Sequence, residues 1–367
     1  MKKSNIKPRR PCVGPFTHLG IRWDGQVSAC CRDFEAVLNF GNVKDNTIDE
    51  IWNSDKLNNL RMLHVKGEFE KEPFCLNCEG QISPYITDED IVEYLIDMGR
   101  EEEILPYLRR VESPLYKEYT NRIKDTIPVA VTLESNSNCN INCIMCIVHD
   151  IDVFGPRVMP IEDFKKHLKD IASSGYNIGD FRIFFWGEPS IHPHFKEVIQ
   201  ESAKYNPIRN IAFDTNATGI TDEMIEVLLD AGEIKPVNIL IGCDALSSEV
   251  YNKIRVNNIH NSHEKLFKTI KKIYLRRKER NLKYPKIMLQ FIVMKENHHE
   301  SKPFLEYWTK YFNKMDIDFK VIWNGSFAEE DGINFRMLFE CIEHTAEAQI
   351  ESNKLFEDVM KELNEKV

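Results

Sequence analysis

Apolar runs alternate with helix-periodic stretches from residue 127 to about residue 330. Six runs rich in β-branched or aromatic residues predict strands, and they read VAVTL, FRIFF, IAFD, VNILIG, IMLQFIV and FKVIW. The stretches between them, such as IEDFKKHLKDIASSG and DEMIEVLLDAG, repeat their apolar residues at helical spacing. This alternation predicts an α/β fold with βαβ units and a parallel sheet, either open or closed into a barrel. About six strands are too few for an eight-stranded barrel.

The residues before position 80 have a different pattern. GIRWDGQVSACC reads as two short strands with a turn at Asp24 and Gly25, which predicts a hairpin. TIDEIWNSDKLNNLRML has a helical period, with Thr47 as the N-cap residue and Glu50 three positions later, as in a capping box. These patterns predict a small separate domain over residues 1–80.

Two further segments read as helical. Residues 81–126 are acidic, have a helix-like pattern and contain no cysteine, so we expect a helical connector. Residues 331–367 are predicted to form one or two amphipathic helices. Together with the strand-rich segment 127–330 and the N-terminal domain, they divide the chain into four parts.

The amino-acid composition limits the classes of partner that we expect for this chain. The 367 residues are 42% hydrophobic and 29% charged, which is typical of a globular protein rather than a disordered one. With 48 basic and 58 acidic residues, the net charge of −10 disfavours nucleic acid and anionic membranes as partners. The chain starts with MKKSNIKPRRPC and shows neither a signal-peptide pattern nor an apolar run of about eighteen residues, so we expect a cytoplasmic protein.

The ten cysteines are the strongest chemical signal. In a reducing compartment they indicate metal or redox chemistry rather than disulfides. They form an early group, a middle group and two single residues, namely Cys12, Cys30, Cys31, Cys75 and Cys78; Cys139, Cys143 and Cys146; and Cys243 and Cys341.

The middle group reads CNINCIMC and follows the first predicted strand of the sheet. Three thiolates can hold an iron–sulfur cluster of four irons with one iron left open. Structural zinc is the competing interpretation, but such sites use four ligands and usually occur in paired knuckles. The loop at the end of a strand is also where α/β folds place their active sites.

CNINCIMC resembles the signature of the radical S-adenosylmethionine (SAM) superfamily. The resemblance implies a partial (β/α)6 TIM-like barrel in which Cys139, Cys143 and Cys146 bind a 4Fe–4S cluster. Its fourth iron is chelated by SAM, and one electron cleaves SAM into methionine and a 5′-deoxyadenosyl radical that abstracts hydrogen from the substrate. Met145 stands at an apolar position of the signature.

Four later segments match the same family in order: FWGEPSIHP, DTNATGI, IGCDALSSEVYNKIR and LQFIVMKENHHE. They resemble the GGEP, TNGT and S-x-D motifs and a fifth-strand segment that ends in Asn297 and Glu300. Trp186, Ala217 and Gly242 replace the usual Gly, Gly and Ser. The resemblance implies SAM contacts from Met145, Trp186, Gly187, Glu188, Asn216, Asp244 and Gln290.

The early group has the spacing C-x17-C-x44-C-x2-C over Cys12, Cys30, Cys75 and Cys78. Four thiolates can close one iron–sulfur cluster completely, and a zinc ribbon is the alternative. The surrounding sequence resembles the SPASM/Twitch domain of radical SAM enzymes, in its shorter Twitch form with one auxiliary 4Fe–4S cluster. That domain follows the barrel in the family, whereas here it precedes it.

Other side chains have weaker signals. Cys31 is the best spare thiol and the candidate catalytic hydrogen donor, because it neighbours a predicted cluster ligand. Strand alternation places Cys243 on the face opposite Asp244, which favours a structural role. Five side chains near strand ends are expected to line the pocket or contact SAM rather than act as the base, and the sequence does not rank them; they are Glu134, Asp214, Gln290, Lys295 and Trp323.

The resemblance implies a radical SAM oxidoreductase. The N-terminal cysteine spacing resembles that of radical SAM aminocyclitol dehydrogenases, so we expect oxidation of an alcohol on a sugar or cyclitol, with the auxiliary cluster as electron acceptor. A flavodoxin or ferredoxin would be the external reductant. The alternatives are a peptide-modifying maturase, an epimerase that uses a thiol as hydrogen donor, and a zinc-binding interaction protein.

Overall fold

The structure is a computed structural model. It describes residues 11–12, 14–30, 33, 37–76, 87–97, 99–104, 107–108, 111, 113, 129–146, 157–175, 178–324, 330–338 and 346–364. The strands in these residues are β1 (His18–Ile21), β2 (Val27–Ser28), β3 (Val129–Leu133), β4 (Asn142–Cys143), β5 (Ile178–Arg182), β6 (Ile211–Thr215), β7 (Val237–Gly242), β8 (Arg255–Val256), β9 (Lys286–Val293), β10 (Phe319–Trp323) and β11 (Asp331–Met337).

The helices are numbered in the same way. They are α1 (Gly14–Thr17), α2 (Ile48–Trp52), α3 (Asp55–Lys66), α4 (Pro73–Leu76), α5 (Asp88–Asp97), α6 (Ile161–Ser173), α7 (Phe195–Lys204), α8 (Asp222–Ile234), α9 (Ser248–Ile254), α10 (Ser262–Glu279), α11 (Ser301–Met315) and α12 (Ala346–Asn364). Short 3-10 turns occur at Phe69–Lys71, Glu101–Glu103, Pro189–Ile191 and His298–Glu300. No helix in the part of the chain that the structure describes is long and apolar enough to cross a membrane.

A nine-stranded sheet forms the centre of the fold, with strand order β10-β11-β9-β7-β6-β5-β3-β1-β2. Every neighbouring pair is parallel except β1 and β2, which form an antiparallel hairpin. Among the described residues no ladder joins β10 to β2. The fold is therefore the expected α/β architecture, a mostly parallel partial barrel with helices between its strands.

The two faces of the sheet differ in chemistry. Side chains of one face, such as Ile239, Ile241 and Leu289, belong to the large apolar core that also contains the helices. Alternate residues such as Leu240 and Met288 are buried but lie outside that core, on the opposite face. Because side chains alternate along a strand, this second face, called the inner face below, carries the even-numbered residues of β6, β7, β9 and β11, and Asp180 and Arg182 of β5.

All six predicted strands are present, but the sheet contains one that the sequence analysis missed. Residues 331–337, predicted as helix, form strand β11, which lies between β9 and β10 and is parallel to both. Asp331 fixes the start of this strand, because its carboxylate accepts hydrogen bonds from the Arg277 guanidinium at 2.8 and 2.9 Å and from the Ile287 backbone N–H at 2.9 Å. The helical prediction for the rest of this segment agrees with α12.

The boundaries of two other elements also differ. The strand predicted as FRIFF spans Ile178–Arg182, so it begins earlier and ends before Phe184. The helix predicted after Thr47 is two helices, because the Ser54 hydroxyl accepts a hydrogen bond from the Leu57 N–H and starts α3 anew. The predicted capping box of Thr47 and Glu50 is present at the start of α2.

The N-terminal segment is joined to the barrel by hydrogen bonds. Strand β1 of the predicted hairpin pairs in parallel with β3, with Leu19 opposite Val131 and Ile21 opposite Leu133. The apolar side chains of the hairpin and of α3 continue into the same core as the barrel strands. Helix α5, in the predicted connector, packs with the other side of α3 in a smaller core that includes Val65. The segment before residue 80 is thus an extension of the sheet rather than a detached unit.

Candidate active site

The loop Cys139–Cys146 lies beyond the carboxyl end of β3. Its middle cysteine is held in place by strand β4, which forms an antiparallel ladder with β8 and pairs Cys143 with Arg255. The Ile144 N–H donates to the Ile254 carbonyl at 2.9 Å, and the Cys146 N–H donates to the Cys143 carbonyl at 3.0 Å. A loop that would otherwise be free is therefore fixed to the segment that follows α9.

Burial makes these thiols poor acids in the absence of a metal. It raises the pKa of Cys139 to about 11 and that of Cys143 to about 12. The charge of Arg255 lowers both pKa values, whereas Cys146 raises both. In the described residues no group of His, Cys, Asp and Glu is arranged to hold a single metal ion. Three thiolates on one loop are the donor set of a four-iron cluster, which gives each thiolate its own iron.

Arg255, the last residue of the motif segment IGCDALSSEVYNKIR, is the main cation at this site. Its Nη1 donates to the Cys143 Sγ at 3.7 Å, while its Nε and Nη2 donate to Asp244 Oδ2 at 3.0 and 2.5 Å. The other Asp244 oxygen accepts the Ile292 N–H at 2.7 Å. A Cβ atom on Gly242 would lie 2.0 Å from Arg255 Nη2, so glycine at this position makes room for the guanidinium.

Asn216 connects the third-strand motif to the cysteine loop. Its Nδ2 lies 3.8 Å from the Cys139 Sγ and 2.8 Å from the Asn140 Oδ1. Its backbone N–H donates to Glu188 Oε2 at 2.6 Å. Residue Ala217 follows with φ of 56°, the left-handed conformation for which glycine is usual. This turn directs the Asn216 side chain to the loop.

The GEP segment is shaped by close backbone contact. A Cβ atom on Gly187 would lie 2.4 Å from the Asn136 carbonyl oxygen, so only glycine fits there. The Glu188 carboxylate is buried, and besides Asn216 it binds the Ser190 N–H at 3.0 Å and the Thr215 hydroxyl at 2.6 Å. Burial raises the pKa of Glu188, and these hydrogen bonds oppose the rise. The carboxylate therefore fixes the segment beside β6.

Glu134 links the N-terminal hairpin to the same segment. Its two carboxylate oxygens accept the Trp23 N–H at 3.2 Å and the Trp186 N–H at 3.1 Å. Burial raises the pKa of Glu134, and the two backbone donors lower it. Because both oxygens are engaged by the backbone, Glu134 serves better as a brace than as a base.

The motif residues of β7 and β9 hold one another. The Asn297 amide donates to the carbonyls of Asp244 and Ile292, both at 2.8 Å, and Glu300 accepts the Leu246 N–H at 2.7 Å. Gln290 lies on the inner face, and its Oε1 accepts Arg336 Nη1 at 2.9 Å. The structure thus brings the segments of all four later motifs around the cysteine loop.

Below this ring the inner face carries polar side chains. They are Asp180, Arg182, Asp214, Asn238, Gln290, Asn334 and Arg336. Asp180 and Arg182 form an ion pair at 2.6 Å. Among the described residues, Asp214 Oδ1 is shielded from solvent and has no hydrogen-bond partner. Burial raises the pKa of Asp214 to about 7.

Four charged groups on two other strands and one loop act on Asp214. Arg336 on β11 and Arg182 on β5 lower its pKa, whereas Glu188, after β5, and Asp180 on β5 raise it. Burial outweighs the two arginines, so the carboxyl titrates near neutrality. A carboxyl with this property and an unused oxygen is suited to accept a proton from a bound molecule.

The N-terminal cysteines lie in a second polar cluster. Cys75 is buried in α4, and Cys12 and Cys30 are partly buried. His64 on α3 joins two of them, because the Cys12 N–H lies 3.1 Å from His64 Nδ1 and the Cys75 Sγ lies 3.5 Å from His64 Nε2. Cys78, the fourth predicted ligand, lies outside the described residues.

The remaining predicted residues fall in different places. Cys31, the candidate hydrogen donor, and Cys341 lie outside the described residues. Met145 is partly buried against the main core. Cys243 is fully buried in that core, away from the inner face, as strand alternation predicted. Lys295 is exposed and pairs with Glu351 at 3.4 Å, which makes it a poor candidate for the base.

Two family models match the chain. The model described as an iron–sulfur cluster-binding domain, SPASM, matches residues 12–79, and that of the radical SAM superfamily matches residues 133–306. The SPASM match precedes the radical SAM match, in the order that the cysteine spacing predicted.

Three curated proteins illustrate the relatives. A tungsten-containing aldehyde ferredoxin oxidoreductase cofactor-modifying protein of Pyrococcus furiosus is 27% identical over 52% of this chain and 50% of its own length. A GTP 3',8-cyclase of Clostridium botulinum is 32% identical over 36% of this chain and 40% of its own. An S-adenosyl-L-methionine-dependent 2-deoxy-scyllo-inosamine dehydrogenase of Niallia circulans is 28% identical over 20% and 30%. The chain therefore spans half or less of these relatives.

Proposed function

Because the chain belongs to the radical SAM superfamily and carries a SPASM iron–sulfur domain ahead of the barrel, we propose that it oxidises an alcohol group of a small polar molecule. The substrate class that we propose is a sugar or an aminocyclitol. The family assignment implies three kinds of cofactor: SAM, a 4Fe–4S cluster that binds SAM, and auxiliary iron–sulfur clusters in the SPASM domain.

The residues around the loop fit these groups. We assign Cys139, Cys143 and Cys146 to the first cluster, because these three thiols lie on one loop beyond the carboxyl end of β3. Cys12, Cys30, Cys75 and Cys78 are the proposed ligands of the auxiliary cluster. SAM would contact the ring of motif residues, which are Met145, Trp186, Gly187, Glu188, Asn216, Asp244 and Gln290.

When bound, SAM and the clusters supply a 5′-deoxyadenosyl radical that removes a hydrogen atom and an acceptor for one further electron. The chain must supply a group that accepts the proton of the alcohol hydroxyl. The observation that carries the proposal is Asp214, an inner-face carboxyl with an unused, solvent-shielded oxygen and a pKa of about 7. It lies two residues before Asn216, about 7 Å deeper along β6 than the residue that touches Cys139.

The proton balance is simple. The C–H hydrogen leaves as an atom, the O–H proton moves to Asp214, and the remaining electron passes to the acceptor, which gives a carbonyl group. The polar inner face supports a hydroxylated substrate, since Gln290, Asn238 and Arg336 offer donors and acceptors in an otherwise buried site. The aminocyclitol dehydrogenase among the relatives supports the same substrate class.

Product mass tests the proposal. Anaerobically reconstituted protein would be incubated with SAM, dithionite and a panel of sugars, cyclitols, aminocyclitols and peptides, followed by mass spectrometry. We expect one 5′-deoxyadenosine per product and a product two hydrogens lighter than its substrate. A product of unchanged mass would make the protein an epimerase, and activity confined to peptide substrates would make it a maturase. Either result contradicts the proposal.

A further inference from the structure

His64 lies between two of the N-terminal cysteines. The Cys12 backbone N–H donates to His64 Nδ1 at 3.1 Å, and His64 Nε2 lies 3.5 Å from the Cys75 Sγ. The imidazole is 2% exposed, and its ring meets Phe69 edge to face at 5.0 Å. Burial and this packing hold the ring in one orientation.

The contact with Cys12 decides which ring nitrogen carries the proton. A backbone N–H can only donate, so Nδ1 must accept and carries no hydrogen. A neutral imidazole then has its hydrogen on Nε2. The Nε2–H group points at the Cys75 Sγ and is the donor in that contact, because a thiolate sulfur bound to iron is an acceptor.

We propose that His64 is a positioning residue that donates a hydrogen bond to the Cys75 sulfur and raises the reduction potential of the auxiliary cluster. A hydrogen bond to a ligating sulfur stabilises the more negative, reduced form of a cluster. The cluster would thereby become a better acceptor for an electron that leaves the substrate. The inference rests on the proposed assignment of Cys75 as a ligand of the auxiliary cluster, but it holds whatever the substrate is and does not depend on the proposed alcohol oxidation.

Two substitutions separate the two contacts of the ring. An asparagine oxygen replaces Nδ1 and keeps the acceptor for the Cys12 N–H, whereas a glutamine amide reaches the Nε2 position and keeps the donor to Cys75. His64→Asn and His64→Gln thus form a matched pair. Phe69→Leu is the packing control, because it removes the edge-to-face contact and leaves both hydrogen bonds in place.

The measurement is an EPR-monitored redox titration of the full chain carrying Cys139→Ala, Cys143→Ala and Cys146→Ala, in which only the auxiliary cluster remains. We expect a more negative midpoint potential for His64→Asn, and potentials close to that of the parent for His64→Gln and Phe69→Leu. Equal potentials in all four proteins would overturn the proposal. So would a shift of the same size in His64→Asn and Phe69→Leu, because that is the result of a merely structural role.

A measurement on the parent protein covers the case in which a variant loses its cluster. With ¹⁵N-labelled histidine, pulsed EPR of the reduced auxiliary cluster should show a weak nitrogen coupling transmitted through the N–H···S hydrogen bond. Absence of any histidine coupling would overturn the proposal. A coupling as large as that of iron-bound imidazole would also overturn it, because His64 would then be a ligand itself.

Discussion

The two cysteine regions are held by different parts of the molecule. Around the middle loop the contacts come from distant strands, since Asn216 follows β6 and Arg255 begins β8. In the N-terminal region the contact comes from His64, on a helix eleven residues before Cys75. The middle loop carries a cation beside its sulfur, whereas the N-terminal group has a neutral donor.

This difference concerns where each cysteine site lies relative to the polar inner face. A site assembled from strand ends faces the polar inner face, where a substrate can reach it. The described contacts of the N-terminal cysteines with His64 lie within one hairpin-and-helix unit. The two sites are nonetheless tied together, because Glu134 binds the Trp23 N–H of the hairpin and the Trp186 N–H beside the middle loop.

The largest effect should come from removing the middle cysteines. In the Cys139→Ala, Cys143→Ala, Cys146→Ala variant we expect SAM cleavage to fall to background, and iron to fall from about eight to about four per chain. Liquid chromatography of 5′-deoxyadenosine and iron analysis measure the two quantities. Cys243→Ala is the control and should keep both, since this thiol lies in the apolar core. Cleavage that survives the triple substitution would contradict the assignment.

Removing the N-terminal ligands should have a different result. For Cys12→Ala with Cys75→Ala we expect the loss of about four irons per chain, with SAM cleavage retained but no oxidised product. The same iron analysis and product mass spectra test this separation of roles. If SAM cleavage disappears as well, the two regions do not act as separate sites.

Asp214→Asn should lower the rate of product formation by about 10²–10⁴-fold, the range for loss of a general base. Because burial raises the pKa of Asp214 to about 7, the wild-type rate should rise as the pH increases through 7 and the carboxyl loses its proton. The variant should show no such rise. Asp180→Asn is the matched comparison, because it removes a charge that raises the pKa of Asp214, so the rise in rate should persist but move to lower pH. A wild-type pH profile retained in Asp214→Asn would exclude this base.

The smallest effect that we expect is on stability, from substitutions at the N-caps of two helices. Thr47 caps α2 in the N-terminal region and Thr221 caps α8 in the barrel, each through its side-chain oxygen. Replacing either by alanine should lower the free energy of unfolding by about 1 kcal/mol. Since β1 is part of the barrel sheet, both variants should shift one shared thermal transition in calorimetry. Two separate transitions would show that the regions unfold independently.

Much of the fold was predictable because the barrel strands are apolar on at least one face and sit between amphipathic helices. Strand β11 was missed because its inner-face residues Asn334 and Arg336 interrupt the apolar run, and because Asp331 is bound by Arg277 from a distant helix. A sequence shows which residues are polar, but not which neighbours form hydrogen bonds or ion pairs with them in the folded chain.

The candidate site was predictable where its residues are close in sequence. Cys139, Cys143 and Cys146 share one loop, so the sequence alone shows that three thiols lie close together. Arg255 was recognisable only as the end of the segment IGCDALSSEVYNKIR, and His64 was not singled out, because the roles of both depend on contacts that only the folded chain makes. The unused oxygen of Asp214 is likewise a property of its surroundings and not of its place in DTNATGI.

The parallel pairing of β1 with β3 means that β1 is synthesised well before the strand with which it pairs. His18 lies opposite Ala130, so the hairpin leaves the ribosome long before its partner strand. At about 5–20 residues per second, its outer edge waits roughly 6–20 s for β3. During that interval an unpaired strand edge is open to other chains. Production of the intact protein should therefore gain from slower initiation or lower temperature, which keep nascent chains apart while the edge waits to be covered.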